Sequence, residues 1–363
     1  LIGLPGIVLL LGIAWLFSEH RGQVQWQTVL VGLALQLVLA IFVLWVPFGK
    51  TVFETLGAGF VKLVSFTQAG SSFVFGDLAD ADEFGFIVAF QVLPTIIFFA
   101  SFMACLYHLG LMQKVVELMA RVMVRFMKVS GSESLATAAN SFVGQTEAPL
   151  VVRPFINGMT RSELFALMTG GMATIAGGVL AAYVLLLGGT DPQAQAFYAK
   201  HLISASIMAA PAALVVAKLI LPEREPSETM GLVKTTVERE HTNLIEAAAG
   251  GASEGLKLAL NVGAMLLAFL ALIALINWPL GWLGEITGLE ALVGQPIELA
   301  LILGWVCAPL AFIVGVPLNE AVTVGGLIGQ KVVANEFVAY VALTDIQDQL
   351  SERAVLISTY ALC

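Results

Sequence analysis

The stretch SFVGQTEAPLVV, residues 141–152, sets a glutamine, a threonine and a glutamate between apolar flanks on both sides. Outward from it, residues 132–156 read as two short helical arms meeting at residues 144–149, with no polar loop long enough to reach water. A first arm of about 12 residues rises about 18 Å. That reaches the middle of a hydrocarbon core roughly 30 Å thick and does not cross it. The stretch therefore predicts a re-entrant hairpin, with polar groups at bilayer depth that are costly to keep there without a use.

The surroundings support a membrane setting. The 363-residue chain is 58% hydrophobic and 12% charged, too little polar surface to cover a soluble globule. Apolar runs of about 20 residues recur along it, continuous rather than alternating, which predicts spanning helices and not a barrel. The net charge of -9 is scattered through loops and hairpins and points to no nucleic-acid partner. Cys105, Cys307 and Cys363 lie in apolar runs without metal-ligand spacing and read as small core residues.

In chain order, a first span ends near Phe17 and a second covers residues 25–48. Residues 49–76 predict a helix lying in the membrane interface, and residues 78–84, with their DADE, a loop. A third span covers 85–111, kinked at Pro94. Residues 112–129 set Lys114, Arg121, Arg125 and Lys128 against a Val/Leu/Met stripe, a basic amphipathic helix on a membrane surface. After the hairpin, a fourth span over 164–187 carries TIAGG at its centre, whose paired glycines predict an unwound segment. A fifth span covers 202–221, a hydrophilic linker 222–253, and a sixth span 256–278, followed by an interfacial segment with Trp282 and Glu285. The chain reaches Cys363 inside an apolar helix, so we expect further chain beyond it.

Basic residues fall on one side if the spans alternate: Arg21, the surface-helix cations, Arg161, and Lys218, Arg224, Lys234 and Arg239. The positive-inside rule makes that side cytoplasmic and opens the first hairpin from it. Beyond Ile297 the plan recurs, with an apolar arm, a polar break VPLNEA and a second arm ending in NEFVAY. Each break holds a glutamate, Glu147 and Glu320, and Glu163 and Glu336 follow at equal spacing. The second hairpin then enters from the opposite side, leaving two polar tips facing one another. The predicted fold is an all-α polytopic helical membrane transporter with inverted repeats, two re-entrant helical hairpins and broken transmembrane helices.

A half-helix ending at Gly144 leaves its last carbonyls, near Asn140 and Val143, without intrahelical donors. A break at the glycine pair releases the carbonyls of Thr174 and Ile175 in the same way. These oxygens, with the Asn140 amide and the Thr174 hydroxyl, suit a sodium ion. The competing reading has Asn140 and Thr174 satisfying local backbone. Gln145, Thr146 and Glu147 suit a neutral polar heterocycle, and Glu320 suits sugar hydroxyls. Against this stand structural ion pairs of Glu147 with Arg153 and of Glu320 with Lys331. Val179 is a packing residue placed to touch whatever sits at the tip. Proton coupling through Glu147 or Glu320 is the alternative to sodium. An enzyme ranks low, since HExxH and GxSxG are absent and no His or Cys lies near either tip; a passive channel remains open.

The runs NSFVGQTEAPLVVRPFI, ATIAGGV, GVPLNEA and IGQKVVANEFVAY resemble the bacterial concentrative nucleoside transporters, and the similarity extends from the first span to Cys363. The resemblance implies a homotrimer among membrane lipids in the bacterial inner membrane, importing a nucleoside with sodium by an elevator-like movement. By position, Gln145, Thr146, Glu147 and Val179 resemble base-side contacts and Glu320 a ribose contact. Asn140, Val143, Thr174 and Ile175 resemble the sodium ligands, Thr174 standing where the family often has Ser. Family members continue past this point with further ribose contacts. We expect residues 1–111 to form spans and an interfacial helix, mostly scaffold. Residues 112–221 would be the first transport repeat, 222–253 a cytoplasmic linker, 254–296 scaffold again, and 297–363 a second transport repeat that is cut short.

Overall fold

The apolar runs fold as helices, which satisfy their own backbone groups where water cannot. The computed structural model describes residues 3–145, 147–231 and 242–363. Among these the only strand-like pairing is an isolated bridge between Ser130 and Met230. Two compact units emerge, one of Leu10–Ala259 and one of Leu1–Leu9 with Leu260–Cys363. Five helices among the described residues are long and apolar enough to cross a membrane: Trp26–Leu44, Val88–His108, Arg161–Gly188, Pro192–Ile220 and Leu244–Thr287.

The chain opens with α1 (Gly3–Leu16), α2 (Trp26–Leu44) and α3 (Pro47–Phe75). The predicted loop at 78–84 is instead two short helical turns, a 3-10 turn at Gly76–Ala79 and α4 (Ala81–Phe84). Then come α5 (Val88–His108), with Pro94 inside it, and α6 (Leu111–Met127). The stripe of α6 is as predicted: Met112, Val116, Ala120, Met123 and Met127 are buried, while Lys114, Arg121 and Arg125 are exposed.

The first hairpin begins with α7 (Gly131–Asn140), every residue of which is buried. Its composition of Gly, Ser, Ala and Thr lets neighbouring backbones come close. Its start is fixed by a capping box, Ser130 Oγ accepting from Glu133 N–H and the Glu133 carboxylate from Ser130 N–H. The second arm is less regular than expected, one turn in α8 (Ala148–Val151) and then 3-10 turns over Arg153–Gly158. The fourth span is broken, as α9 (Arg161–Met172) and α10 (Gly177–Gly188), but the unwound residues are 173–176 and the glycine pair opens α10. The reason is a close approach: Gly177 N–H donates to Phe142 O at 2.8 Å, and a Cβ there would lie 2.9 Å from that oxygen.

α11 (Pro192–Ile220) follows. Lys218 near its end, one of the cations expected on the cytoplasmic side, is buried at 5% exposure and pairs with Glu133 at 2.7 Å while donating to Ser162 Oγ at 2.8 Å. The predicted linker is shorter than expected. Residues 232–241, with Lys234 and Arg239, lie outside the described residues. Thr229 O accepts from Gly131 N–H at 2.9 Å, and Ser227 and Thr229 donate to the Glu163 carboxylate, so the linker's first part is fastened to α7 and α9. The sixth span is α12 (Leu244–Thr287), which starts inside the predicted linker and absorbs the predicted interfacial segment through Trp282 and Glu285.

In the other unit, α13 (Leu289–Val293) leads to the second hairpin, α14 (Leu299–Ile313) and α15 (Ala321–Val333). These arms touch at backbone level: a Cβ on Gly325 would lie 2.7 Å from Gly304 O. NEFVAY does not end the second arm. Asn335 caps a new helix, α16 (Glu336–Ile346), and Ser351 caps the last, α17 (Glu352–Ala361). The equal spacing of Glu163 and Glu336 gives no equivalence: Glu163 closes a capping box with Thr160, whereas Glu336 is the first residue of its helix.

Candidate functional site

Within the unit of Leu10–Ala259, the C-terminal end of α7 meets the break between α9 and α10. Asn140, the last residue of α7, is 1% exposed. Its Nδ2 donates to Gly170 O at 2.7 Å and to Thr174 Oγ1, which ties the hairpin to the broken span. Its Oδ1 is buried with no donor among the described residues. A buried amide oxygen left so costs about 1–3 kcal/mol unless something else meets it.

The turn that follows engages its carbonyls one at a time. Ser141 O accepts from Ser206 Oγ at 3.0 Å, and Phe142 O from Gly177 N–H at 2.8 Å. Gly144 O accepts from Ala148 N–H at 3.0 Å. Val143 O is the member of this run that receives no donor among the described residues, and the same holds for the carbonyls of Thr174 and Ile175. Gly144 has φ +105°, which only glycine adopts without strain, and a Cβ on it would come within 3.0 Å of Ala176 Cβ. The predicted sodium-ligating residues thus lie on two segments that the structure joins by the Asn140 and Phe142 hydrogen bonds. Their unengaged oxygens are neutral and hard, the donor set a monovalent cation takes. Among the described residues no cluster of three His, Cys, Asp or Glu could hold a metal ion.

Beyond the turn, Gln145 and Glu147 are exposed, and Thr146 lies outside the described residues. The anticipated Glu147–Arg153 ion pair is absent among the described residues, and no described group hydrogen-bonds the Glu147 carboxylate. Val179 is half-buried in the first turn of α10. Reading of the sequence missed Ser141, Phe142, Gly170 and Ser206 as the partners that shape the turn. A serine inside the apolar run of α11 was the available signal, but pairing it with Ser141 needs the tertiary structure.

In the other unit Glu320 has a different setting. Its carboxylate accepts from Ser351 N–H at 2.8 Å and from Ser351 Oγ at 2.7 Å, at the N-terminus of α17. The anticipated pairing with Lys331 does not form, because the Lys331 ammonium donates to Ala361 O at 3.2 Å and Cys363 O at 2.8 Å.

Comparison with known proteins gives a consistent result. A family model described as Na+ dependent nucleoside transporter N-terminus matches residues 5–78, one described as nucleoside recognition matches 89–190, and one described as Na+ dependent nucleoside transporter C-terminus matches 201–363. An uncharacterized transporter of Bacillus subtilis, YutK, is 44% identical over 99% of this chain and 86% of its own length. Mouse sodium/nucleoside cotransporter 1 is 42% identical over all of this chain, which spans 56% of that protein. The solved structure of CNTnw in an inward-facing substrate-bound state superposes with TM-score 0.90 at 41% identity, over 100% of this chain and 86% of CNTnw. A CNTnw variant in an outward-facing state gives TM-score 0.90 at 40% identity, over 100% of this chain and 84% of that one.

Proposed function

This chain belongs to the Na+-dependent nucleoside transporter family, and from that premise we propose that it imports nucleosides with sodium as a secondary active transporter. The observation that carries the ion half of this reading is the Asn140 Oδ1 atom, buried without a partner at the end of α7, on two joined segments where the carbonyls of Val143, Thr174 and Ile175 also receive no donor among the described residues. We assign Asn140, Val143, Thr174 and Ile175 to sodium. Gln145, Thr146, Glu147 and Val179 are assigned to the base side of the nucleoside, and Glu320 to its ribose. A sugar hydroxyl reaching Glu320 would share or displace the bond from Ser351.

Coupling follows from linkage. Sodium drawn to the oxygens at the α7 terminus and the α9–α10 break orders the turn that carries Gln145 and Glu147, so the nucleoside binds that turn more tightly. By reciprocity the nucleoside strengthens sodium binding by the same factor. The ion supplies differential affinity between states rather than a push. Alternating access would proceed by an elevator-like movement of the hairpins, in keeping with relatives solved in outward-facing, intermediate and inward-facing states. A homotrimer in the bacterial plasma membrane, surrounded by lipid, is the assembly we propose. Uptake of radiolabelled uridine into proteoliposomes tests the reading. An inward sodium gradient should drive accumulation and a proton gradient should not; accumulation that follows protons, or flux that stops at equilibrium under a sodium gradient, would overturn it.

A further inference from the structure

We infer that Ser206, in the middle of α11, is a positioning residue for the sodium site, an inference that rests on the assignment of that site above. Ser206 and Ser141 form a reciprocal pair between two elements. Ser206 Oγ donates to Ser141 O at 3.0 Å, and Ser141 Oγ donates to Ser206 O at 3.2 Å. Both residues are buried, at 2% and 3% exposure. The two hydroxyls tie the end of α7 to α11 at two points, the Ser206 hydroxyl to Ser141 O alone and the Ser141 hydroxyl shared between Ser206 O and Thr137 O at 3.5 Å.

The consequence falls on the next carbonyl but one. Ser141 is the C-cap of α7, still in right-handed helical geometry, where carbonyls run out of intrahelical donors and Ser141 O takes a tertiary one. With Ser141 O held by α11 and Phe142 O held by Gly177 N–H, the two peptides that lead into Val143 are anchored to different elements, and that anchoring sets where Val143 O is presented. Phe142 N–H and Val143 N–H still donate to Ala139 O at 2.9 and 3.1 Å, so removing the Ser206 hydroxyl does not free the turn but loosens its tie to α11, and Val143 O is then held less firmly toward the ion. Ser206 does not touch the ion; it acts through Ser141.

The test measures sodium and nucleoside affinities separately on the full chain in proteoliposomes. Ser206→Ala should raise the sodium concentration for half-maximal uridine uptake about fivefold, the size of one lost buried hydrogen bond. Uridine affinity at saturating sodium should stay within about twofold, since saturation removes the linkage difference. Ser206→Thr keeps the hydroxyl and should restore sodium affinity. Ser141→Ala supplies a second route if the first variant folds poorly, and the double variant should cost less than the sum of the two singles. A sodium response unchanged in both single variants, with wild-type uptake sodium-dependent, overturns the inference. A lower melting temperature and slower uptake without a shift in sodium half-saturation overturns it as well, since that is the mark of a merely structural pair. Wild-type uptake indifferent to sodium would be seen first, and would fail the underlying site assignment instead.

Discussion

The two hairpins turn on the same device and hold their glutamates in opposite ways. Gly144 and Gly315 sit at φ +105° and +107°, and each precedes a glutamate at the tip. At the first tip Glu147 is exposed and has no hydrogen bond or ion pair among the described residues, while Asn140 Oδ1 and Val143 O nearby also lack donors. At the second tip both Glu320 oxygens accept from Ser351, so the carboxylate caps α17 and meets the positive end of its dipole. The arms differ as well. α14 and α15 are full helices in backbone contact, whereas the first hairpin returns through one helical turn and 3-10 turns. A tip whose acceptors are open leaves them available to the ligands proposed above; one whose acceptor is engaged holds its own unit together. Two glutamates alike in sequence therefore stand in different settings.

The largest effect should come from the open tip. Glu147→Gln removes the charged acceptor proposed to serve the substrate, and nucleoside affinity should fall about 100-fold with the melting temperature unmoved. Glu320→Gln should cost about tenfold in affinity and also lower the melting temperature, because the same change weakens the α17 cap. Isothermal titration and thermal unfolding on both variants measure this. Equal losses in both quantities for the two variants would break the distinction between the tips. On the ion side, Asn140→Ala should raise the sodium half-saturation about 30-fold, with uridine uptake at high sodium retained in part. A sodium response left intact by that change would return Asn140 to the role of a local backbone partner.

Next in size are the turn glycines. Alanine at either position costs about 1–2 kcal/mol for a left-handed conformation. The surroundings decide what else is lost. A Cβ on Gly144 would meet Ala176 Cβ at 3.0 Å, so the hairpin tip and the helix break must part; a Cβ on Gly315 would meet the end of the Arg353 side chain at 3.2 Å, which can swing away. Gly144→Ala should therefore raise sodium half-saturation about tenfold as well as lowering stability, and Gly315→Ala should lower stability alone. Sodium titrations of uptake beside melting curves separate the two outcomes.

Where the sequence was legible and where it was not follows from which interactions are local. The amphipathic stripe of α6 is periodic, and the hairpin at residues 141–152 is a local interruption of apolar sequence; both could be read directly. The start of α12 was also local and was overlooked: Asn243 Oδ1 accepts from Glu246 N–H at 2.9 Å, a capping pattern written in TNLIE. The position of the span break was not local. Paired glycines suggest unwinding, but Gly177 is small because Phe142 O approaches it, so the helix begins where a break was expected. Lys218 carries a charge that composition assigns to water, and its burial is explained by its pairing with Glu133 and Glu223 and its bond to Ser162, of which Glu133 and Ser162 are far away in sequence. The matched spacing of Glu163 and Glu336 misled for the opposite reason, since equal intervals in sequence fell on different cap positions.

The smallest effect is expected at Ser351, and it is the one that asks whether the second tip is closed for structure or for substrate. Ser351→Ala removes the N-cap that accepts from Ala354 N–H and the hydroxyl that donates to Glu320 Oε2, but it keeps the backbone N–H to Glu320 Oε1. Loss of the cap should cost about 1 kcal/mol and lower the melting temperature by about 2 °C. Nucleoside affinity should stay within about twofold, since the bond removed is one that a sugar hydroxyl at Glu320 would have to share or displace. Stability would then fall while binding stayed level, the reverse of what Glu147→Gln does at the first tip. A tenfold loss of nucleoside affinity in Ser351→Ala would mean that the cap holds Glu320 in its binding position, and the two tips would then differ in how they are held rather than in what they do.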